Sequence, residues 1–441
     1  LSVSTLSGRR LPARLLLAGW LFLAPAGVAG TFRAGVAKVD ITPETPQWLL
    51  GYQARQSDGV HDRLHHRIVA LDDGNTQLFL VSSDLALASP GYYDQVCADI
   101  EKAAGIQPRQ IWWLFTHTHS APEVGPPGLP VIFMPERYKQ ASGHMSNPEY
   151  SAWAEQKLIE GLKEARARLE PARLGFGLGF AQANINRRAR DADGKISLGL
   201  NPYGPVDRQI GLILVERPDG TPLALIANYA IHGTVLGSAN LKISADAPGV
   251  VAEYVEAKLG APMLFINGAE GNIAPIYSVY PTPGSGHLSE FRVLLGDRIL
   301  EARRKITATI ADVQLWTGER FIETPLREGL AWPAELSRYA READAGRKLV
   351  RIPVRALRLH HDLVVWGAPL ELFCEIALRV REESPFPDTY YFGLLNGWLG
   401  YLPTARAIRE GGYEPSVSPY SEKAEEDFSR GVSAWLREIP R

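Results

Sequence analysis

The sequence predicts an α/β fold of mixed β-sheets with packed helices, forming a single domain after an N-terminal signal segment. Three observations carry that expectation. Apolar runs of strand length alternate with stretches of helical periodicity along the chain. The first elements follow in the order β-β-α-β, which suits a mixed sheet covered by helices. No internal repeat, low-complexity tract or clear linker divides the 441 residues.

The elements justify themselves in order. "RIVALDDGNTQLFLVSSDLALA" reads as strand, turn, strand, with Asp72-Asp73-Gly74-Asn75 supplying the turn. "GYYDQVCADIEKAAG" has helical spacing and closes on Gly105. "QIWWLFTHTH" is a buried strand that ends in two histidines. Residues 120–148 are rich in Pro and Gly and read as a long loop, a length that usually marks a functional or a disordered segment. "PEYSAWAEQKLIEGLKEARARLEP" is an amphipathic helix stopped by Pro171. "RLGFGLGFAQANINRRA" reads as a strand and a loop. "QIGLILVERPDGTPLALIANYAIHGT" is a hairpin about Pro218-Asp219-Gly220, and its second strand delivers His232. "PGVVAEYVEAKLG" is a helix, "PMLFINGAEGNIAP" a strand entering a Gly-rich turn, and "LSEFRVLLGDRILEARRKI" helical throughout. "HHDLVVWGAPLELFCEIALRVREE" reads as strand, short turn and helix, and "SEKAEEDFSRGVSAWLREIPR" as a helix-like tail.

Residues 1–30 stand apart. A basic stretch, "SGRRLPAR", precedes the apolar "LLLAGWLFLAPAGVAG", which ends in small residues. That is the pattern of a secretory signal peptide, leaving 31–441 as a secreted or periplasmic domain. The competing reading, a membrane anchor, needs about 20 apolar residues, and this run is shorter. The formal net charge of -2 predicts no pull toward nucleic acid. Cys97 and Cys374 are the two cysteines, both in apolar helix-like settings, so buried free thiols compete with a disulfide.

Histidine is scarce, with ten in the chain. That singles out His61, His65, His66, His117 and His119. Residues two apart on an extended segment point the same way, so His117 and His119 can face one ion, although such a pair also occurs on ordinary surfaces. His232 again ends a buried strand; a lone histidine there is more often a satisfied core residue, but the repetition favours a site. Asp246 in "ISADAPG" is equally a helix cap. Glu371 in "WGAPLELFCEIA" is either a carboxylate at a sheet mouth or a solvated first-turn residue, with Glu375 competing. Tyr401 and Tyr413 lie within "NGWLGYLPTARAIREGGYEP"; a phenol near a metal coordinates it or donates to an oxyanion.

Together, "AGVAKVDITP", "THTHSAP", "NINRR", "NYAIHGT" with "ISADAPG", "NGAEGNIAP", "APLELF" and "GYLPT…GGYE" resemble the catalytic domain of the neutral (non-lysosomal) ceramidases, from about Ala34 to Tyr413. The resemblance implies one zinc ion, with His117, His232, Glu371 and Tyr401 as ligands. It makes His119 a proton-handling neighbour, Tyr413 an oxyanion stabiliser and Arg187 a substrate contact, with Arg188 as the alternative. Such a site polarises a carbonyl and lowers the pKa of bound water to about 7. The implied reaction is hydrolysis of a linear amide in an N-acyl lipid, with peripheral membrane contact for access. Two departures stand out. The family's usual G-D-x-S-P turn reads "GNIAP" here, with Asn272 and Ala274, so a serine hydroxyl is missing. After "GGYEP", the helix-like tail stands where full-length members continue to a β-sandwich, which leads to the expectation of a catalytic-domain-only member. The alternatives are a catalytically silent zinc-binding member, or a hydrolase of a different N-acyl or ester substrate.

Overall fold

The computed structural model describes residues 1–2, 32–53, 55–125, 146–279, 285–343 and 346–441. All but the first two residues of the proposed signal peptide, and most of the Pro/Gly-rich stretch, lie outside these residues.

The chain builds a mixed α/β architecture, as the sequence predicts. Its principal elements are β1 Arg33–Asp40, β2 His65–Asp72, β3 Gln77–Ser83, α1 Pro90–Ala104, β4 Ile111–Phe115 and α2 Pro148–Ala167. Next come β5 Arg173–Phe180, β6 Asn184–Arg190, β7 Ile196–Asn201, β8 Gln209–Glu216, β9 Pro222–Tyr229, α3 Asp246–Leu259, β10 Met263–Asn267 and β11 Ile273–Pro275. The rest are α4 Asp297–Arg304, β12 Trp316–Pro325, β13 Lys348–His360, β14 Leu363–Gly367, β15 Glu371–Leu372, α5 Cys374–Glu383, β16 Asp388–Phe392, β17 Tyr401–Leu402 and α6 Ala424–Glu438.

The first sheet runs β4-β3-β2-β1, with β3 and β4 parallel and the other pairs antiparallel. The second runs β10-β9-β8-β5, with β9 and β10 parallel. A third runs β12-β13-β14-β16. Successive strand residues point to opposite faces, and the core divides accordingly. Phe79, Val81 and Trp113 pack in the cluster that holds Tyr92, Val96 and Ile100 of α1 and Leu158 and Leu162 of α2. Leu78, Leu80 and Trp112 face the other way, against Ile213, Ile226 and Leu264 of the second sheet and Val365 of the third. The far face of the second sheet is covered by Val251 and Val255 of α3 and Ile299 of α4. The arrangement is therefore helix, sheet, sheet, helix, with the third sheet closing one side of the central layer.

Local chemistry sets the boundaries. Ser89 caps α1 by accepting from Gly91 N, Pro90 occupies the first helical position, and Gly105 ends the helix at φ 67°. Asn147 caps α2 through Glu149 N and Tyr150 N, again with Pro148 at the first position.

Two expectations need correction. "RLGFGLGFAQANINRRA" forms two strands, β5 and β6, rather than a strand and a loop. Gly175, Gly177 and Gly179 give β5 a face without side chains; a Cβ at any of them would lie within 3 Å of Ile306 or Ala302. That face admits the end of α4, while Asn184, Ile185 and Asn186 pair with β11. "LSEFRVLLGDRILEARRKI" is not one helix: a 3₁₀ segment, Ser285–Glu290, and a π segment, Arg292–Gly296, precede α4. At this junction Gly296 lies against Tyr254, where a Cβ would meet the ring at 2.7 Å.

Cys97 and Cys374 are free and buried. Burial pushes the Cys97 thiol up to about 12, which leaves it unreactive. Among the described residues no helix is long and apolar enough to cross a membrane.

Candidate metal centre

The strand ends of β4 and β9 meet. Thr118 and Gly233 form a parallel bridge; His119 N donates to Gly233 O at 2.8 Å and Gly233 N to His117 O at 3.2 Å. The approach requires glycine, because a Cβ at Gly233 would lie 2.7 Å from Thr118 Cα. Asn267, at the end of β10, ties both ends: its Nδ2 donates to Thr116 O at 3.2 Å, and its Oδ1 accepts from Ile231 N at 3.0 Å. His117 sits at φ 63°, a left-handed conformation uncommon for a side-chain-bearing residue and frequent at functional positions.

These constraints aim three imidazoles at one point. His117 and His232 have ring centroids 4.7 Å apart, and His119 lies 4.8 Å from His117. His117 Nδ1 faces Ala86 O at 2.9 Å, and His232 Nδ1 faces Ile273 O at 2.7 Å. A carbonyl only accepts, so both Nδ1 atoms carry the proton and both Nε2 atoms present lone pairs. Glu371 Oε2 lies 3.3 Å from His117 Nε2 and 3.0 Å from His232 Nε2. His119 Nε2 lies 3.3 Å from His117 Nε2. Acceptor atoms thus crowd together in a buried place, and a cation is the chemistry that reconciles them. Neutral imidazoles with a carboxylate are the donors a catalytic divalent metal takes.

In the electrostatics the positive charge that favours the carboxylate comes from imidazole protons, the charge a metal ion would supply in their place. Burial opposes the charge of Glu371, but His117 and His232 outweigh it and hold the carboxyl well below its usual range. Burial, followed by Arg187, lowers His232 to about 3. Burial and the two neighbouring histidines hold His119 well below the ordinary imidazole value.

Glu371 lies on β15, whose parallel partner β17 sets Tyr401 opposite it. The Tyr401 phenol is raised well above normal by burial and then by the Glu371 charge. Trp398 Nε1 holds the second oxygen of Glu371 at 2.7 Å. Arg187 donates to His232 Nε2 at 3.0 Å, Glu414 Oε1 at 2.9 Å and Gly271 O at 2.7 Å. Its guanidinium also lies over the rings of Tyr401 and Tyr413, at 5.5 and 5.9 Å. Tyr413 is half-buried beside Tyr401, with ring centroids 5.8 Å apart.

The structure therefore gathers His117, His119, His232, Glu371, Tyr401, Arg187 and Tyr413. The competitors are engaged elsewhere. Glu375 accepts from Asn272 Nδ2, and Arg188 binds Glu414 Oε2 and the carbonyls of 407 and 411. A bulge between Asn186 and Arg188 lets both neighbouring arginines reach Glu414 despite strand alternation. Asp246 does not serve as the N-cap of α3, a position taken by Ala245. Its buried carboxylate accepts from the amides of Val235, Leu236 and Ala247, fixing the loop after His232. His61 pairs with Asp62, and His66 bonds Ser83 and Ala154 O inside the first core. Ala274 is buried on β11 opposite Ile185.

Sequence reasoning passed over four contributors: Asn267, Trp398, Glu270 and Tyr52, whose ring packs edge-on to His119 at 4.9 Å. Glu270 is buried, and that burial, with Glu371 beside it, raises its carboxyl well above normal. Its oxygens and those of Glu371 lie with His117 in a second potential donor group, alongside His117, His119 and His232.

Residues 32–274 match the family described as neutral/alkaline non-lysosomal ceramidase, N-terminal. The chain is 26% identical over 272 residues to a neutral ceramidase of Pseudomonas aeruginosa, and 26% over 231 residues to one of Mycobacterium tuberculosis. These alignments take in 58% and 50% of this chain but only 38% and 35% of those relatives. The crystal structure of neutral ceramidase from Pseudomonas aeruginosa superposes with a TM-score of 0.72 at 20% identity, covering 93% of this chain and 75% of that one. A ceramidase structure complexed with C2 gives the same score and identity, covering 92% and 75%.

Proposed function

The chain belongs to the neutral/alkaline non-lysosomal ceramidase family, and from that premise we propose that it is an exported zinc-dependent hydrolase of a linear amide in an N-acyl lipid. The observation that carries the proposal is the convergence of the His117 and His232 Nε2 atoms on Glu371 Oε2 within 3.3 Å, with both Nδ1 atoms committed to backbone carbonyls. His117, His232, Glu371 and Tyr401 would hold the metal. When bound, Zn²⁺ supplies Lewis-acid polarisation of a carbonyl and activation of water.

The remaining residues have derived roles. Arg187 is fixed by Glu414 and Gly271 O, so its charge stays beside the donors and can orient an acyl oxygen. The Tyr413 hydroxyl would donate to the oxyanion as negative charge develops there. Hydrolysis adds water's oxygen to the acyl carbon and breaks the carbon–nitrogen bond. The attacking water loses a proton and the departing nitrogen needs one; His119, neutral at rest, would accept the first at Nε2 and return it to the nitrogen.

The test is metal analysis of purified protein with an activity panel of N-acyl sphingoid lipids, N-acyl amino acids and simple esters, with and without chelator. About one zinc per chain and chelator-sensitive amide hydrolysis are expected, and His232→Ala should lose both. Protein without stoichiometric metal, or a His232→Ala variant that binds it equally well, would refute the site. The absent hydroxyl at Ala274 motivates a second reading, a catalytically silent member. Stoichiometric zinc with no turnover across the panel would select it, and hydrolysis of any panel compound would eliminate it.

A further inference from the structure

Glu270 follows β10 in the turn that leads to β11. Its residue is fully buried, at 0% exposure, and neither carboxylate oxygen has a hydrogen-bond partner. The other acids at the site are bonded: Glu371 to Trp398 and the histidines, Glu414 to Arg187 and Arg188. A buried carboxyl without a partner is costly, so the residue needs a compensating ligand. Its backbone is also fixed. Glu270 N donates to Gly268 O at 3.1 Å, its carbonyl accepts from Ile273 N at 2.8 Å, and the next amide, Gly271 N, donates to Leu372 O at 2.9 Å. The turn thereby joins the β10 end to the strand bearing Glu371.

One oxygen of Glu270, one of Glu371 and one nitrogen of His117 lie within 4.8 Å of one another. The nitrogen is Nε2, since Nδ1 faces Ala86 O. His117 also belongs to the group with His119 and His232. A single imidazole lone pair serves one cation, so the two groups describe one centre seen from two sides.

We infer that Glu270 is a further protein ligand of this centre, adding a second carboxylate and raising the number of protein ligands above four. The inference rests on the proposed metal site. Two carboxylates balance the charge of a divalent ion, and an oxygen-richer set suits Zn²⁺ in five-coordinate form, or Mn²⁺ and Fe²⁺.

The experiment uses the full chain, stripped and refilled with Co²⁺ alone. Wild-type protein should show the weak visible absorption of a five- or six-coordinate ion. Glu270→Gln should absorb several-fold more strongly, as an ion with one ligand fewer does, and in chelator competition should hold Zn²⁺ about tenfold or more less tightly. Identical spectra and affinities in the two proteins would overturn the inference while leaving the metal site intact. So would an intense four-coordinate spectrum in the wild type, a result that does not depend on the variant folding. Two ions per wild-type chain, falling to one in Glu270→Gln, would overturn the single-centre assignment. A wild-type chain that takes up no metal is a different failure, that of the site itself.

Discussion

Asn267 shows how much one side chain decides at this site, because its amide ties Thr116 and Ile231, one residue before each of the two strand-end histidines His117 and His232. Asn267→Ala leaves a buried carbonyl and a buried amide without partners, at about 1–3 kcal/mol each. Chemical denaturation should show that loss, together with weaker metal uptake. Gly233→Ala should act through sterics, since its Cβ meets backbone on the opposing segment; a destabilisation of about 1–3 kcal/mol is expected. His119→Ala should separate chemistry from binding: metal content stays near that of wild type while turnover collapses, and parallel loss of both would make His119 a ligand. His117 and His232 were legible in the sequence because each closes an apolar strand, and His119, Glu371, Tyr401 and Tyr413 because they stand in the motifs that carry the family resemblance. Asn267, Trp398, Tyr52 and Glu270 were not, since their partners lie tens to hundreds of residues away and nothing in the motifs around them marks the side chain that reaches the site.

Among elements, α3 is held to the first sheet by a charge cluster that acid should loosen. Glu256 accepts from Arg67 Nε and Lys38 Nζ, each at 2.7 Å, and from Met263 N at 3.1 Å. Burial opposes its charge, but Arg67 and Lys38 outweigh it and hold the carboxyl below the usual value. An acid depressed in this way contributes stability that is present above its unfolded pKa, about 4.3 for Glu, and lost as pH falls through the folded value. Melting curves of wild type and Glu256→Gln should therefore separate above pH ~4, with wild type higher, and converge in more acidic buffer. Helix ends and turn-bounded strands were readable because Gly105, Pro171 and the Asp-Gly turns state their geometry locally. The π segment and the β5–β6 division were not. Both depend on what packs against glycine: Tyr254 at Gly296, and Ile306 and Ala302 at the β5 glycines.

At the scale of the molecule, the donors come from the end of a first-sheet strand, the end of a second-sheet strand and a short parallel pair beside the third sheet. Ligand binding to the native state alone stabilises it, by about 2.7 kcal/mol at a hundredfold excess over Kd. Added Zn²⁺ should thus raise the melting temperature of stripped protein, chelator should reverse the rise, and His232→Ala should abolish it. The α/β class and the order of elements could be read from periodicity, whereas the stacking of sheet on sheet could not. Apolar residues on both faces of β3 announce burial without naming the partner of either face.

His117, His232, Glu371 and Tyr401 are far apart along the chain, and the packing of three sheets must precede their meeting. A metal held there joins segments whose contacts are the slowest to form. It should bind after the transition state for folding and leave the refolding rate almost unchanged. Its effect should fall on escape from the native state: stopped-flow traces with and without Zn²⁺ would superpose on dilution out of denaturant and diverge on dilution into it.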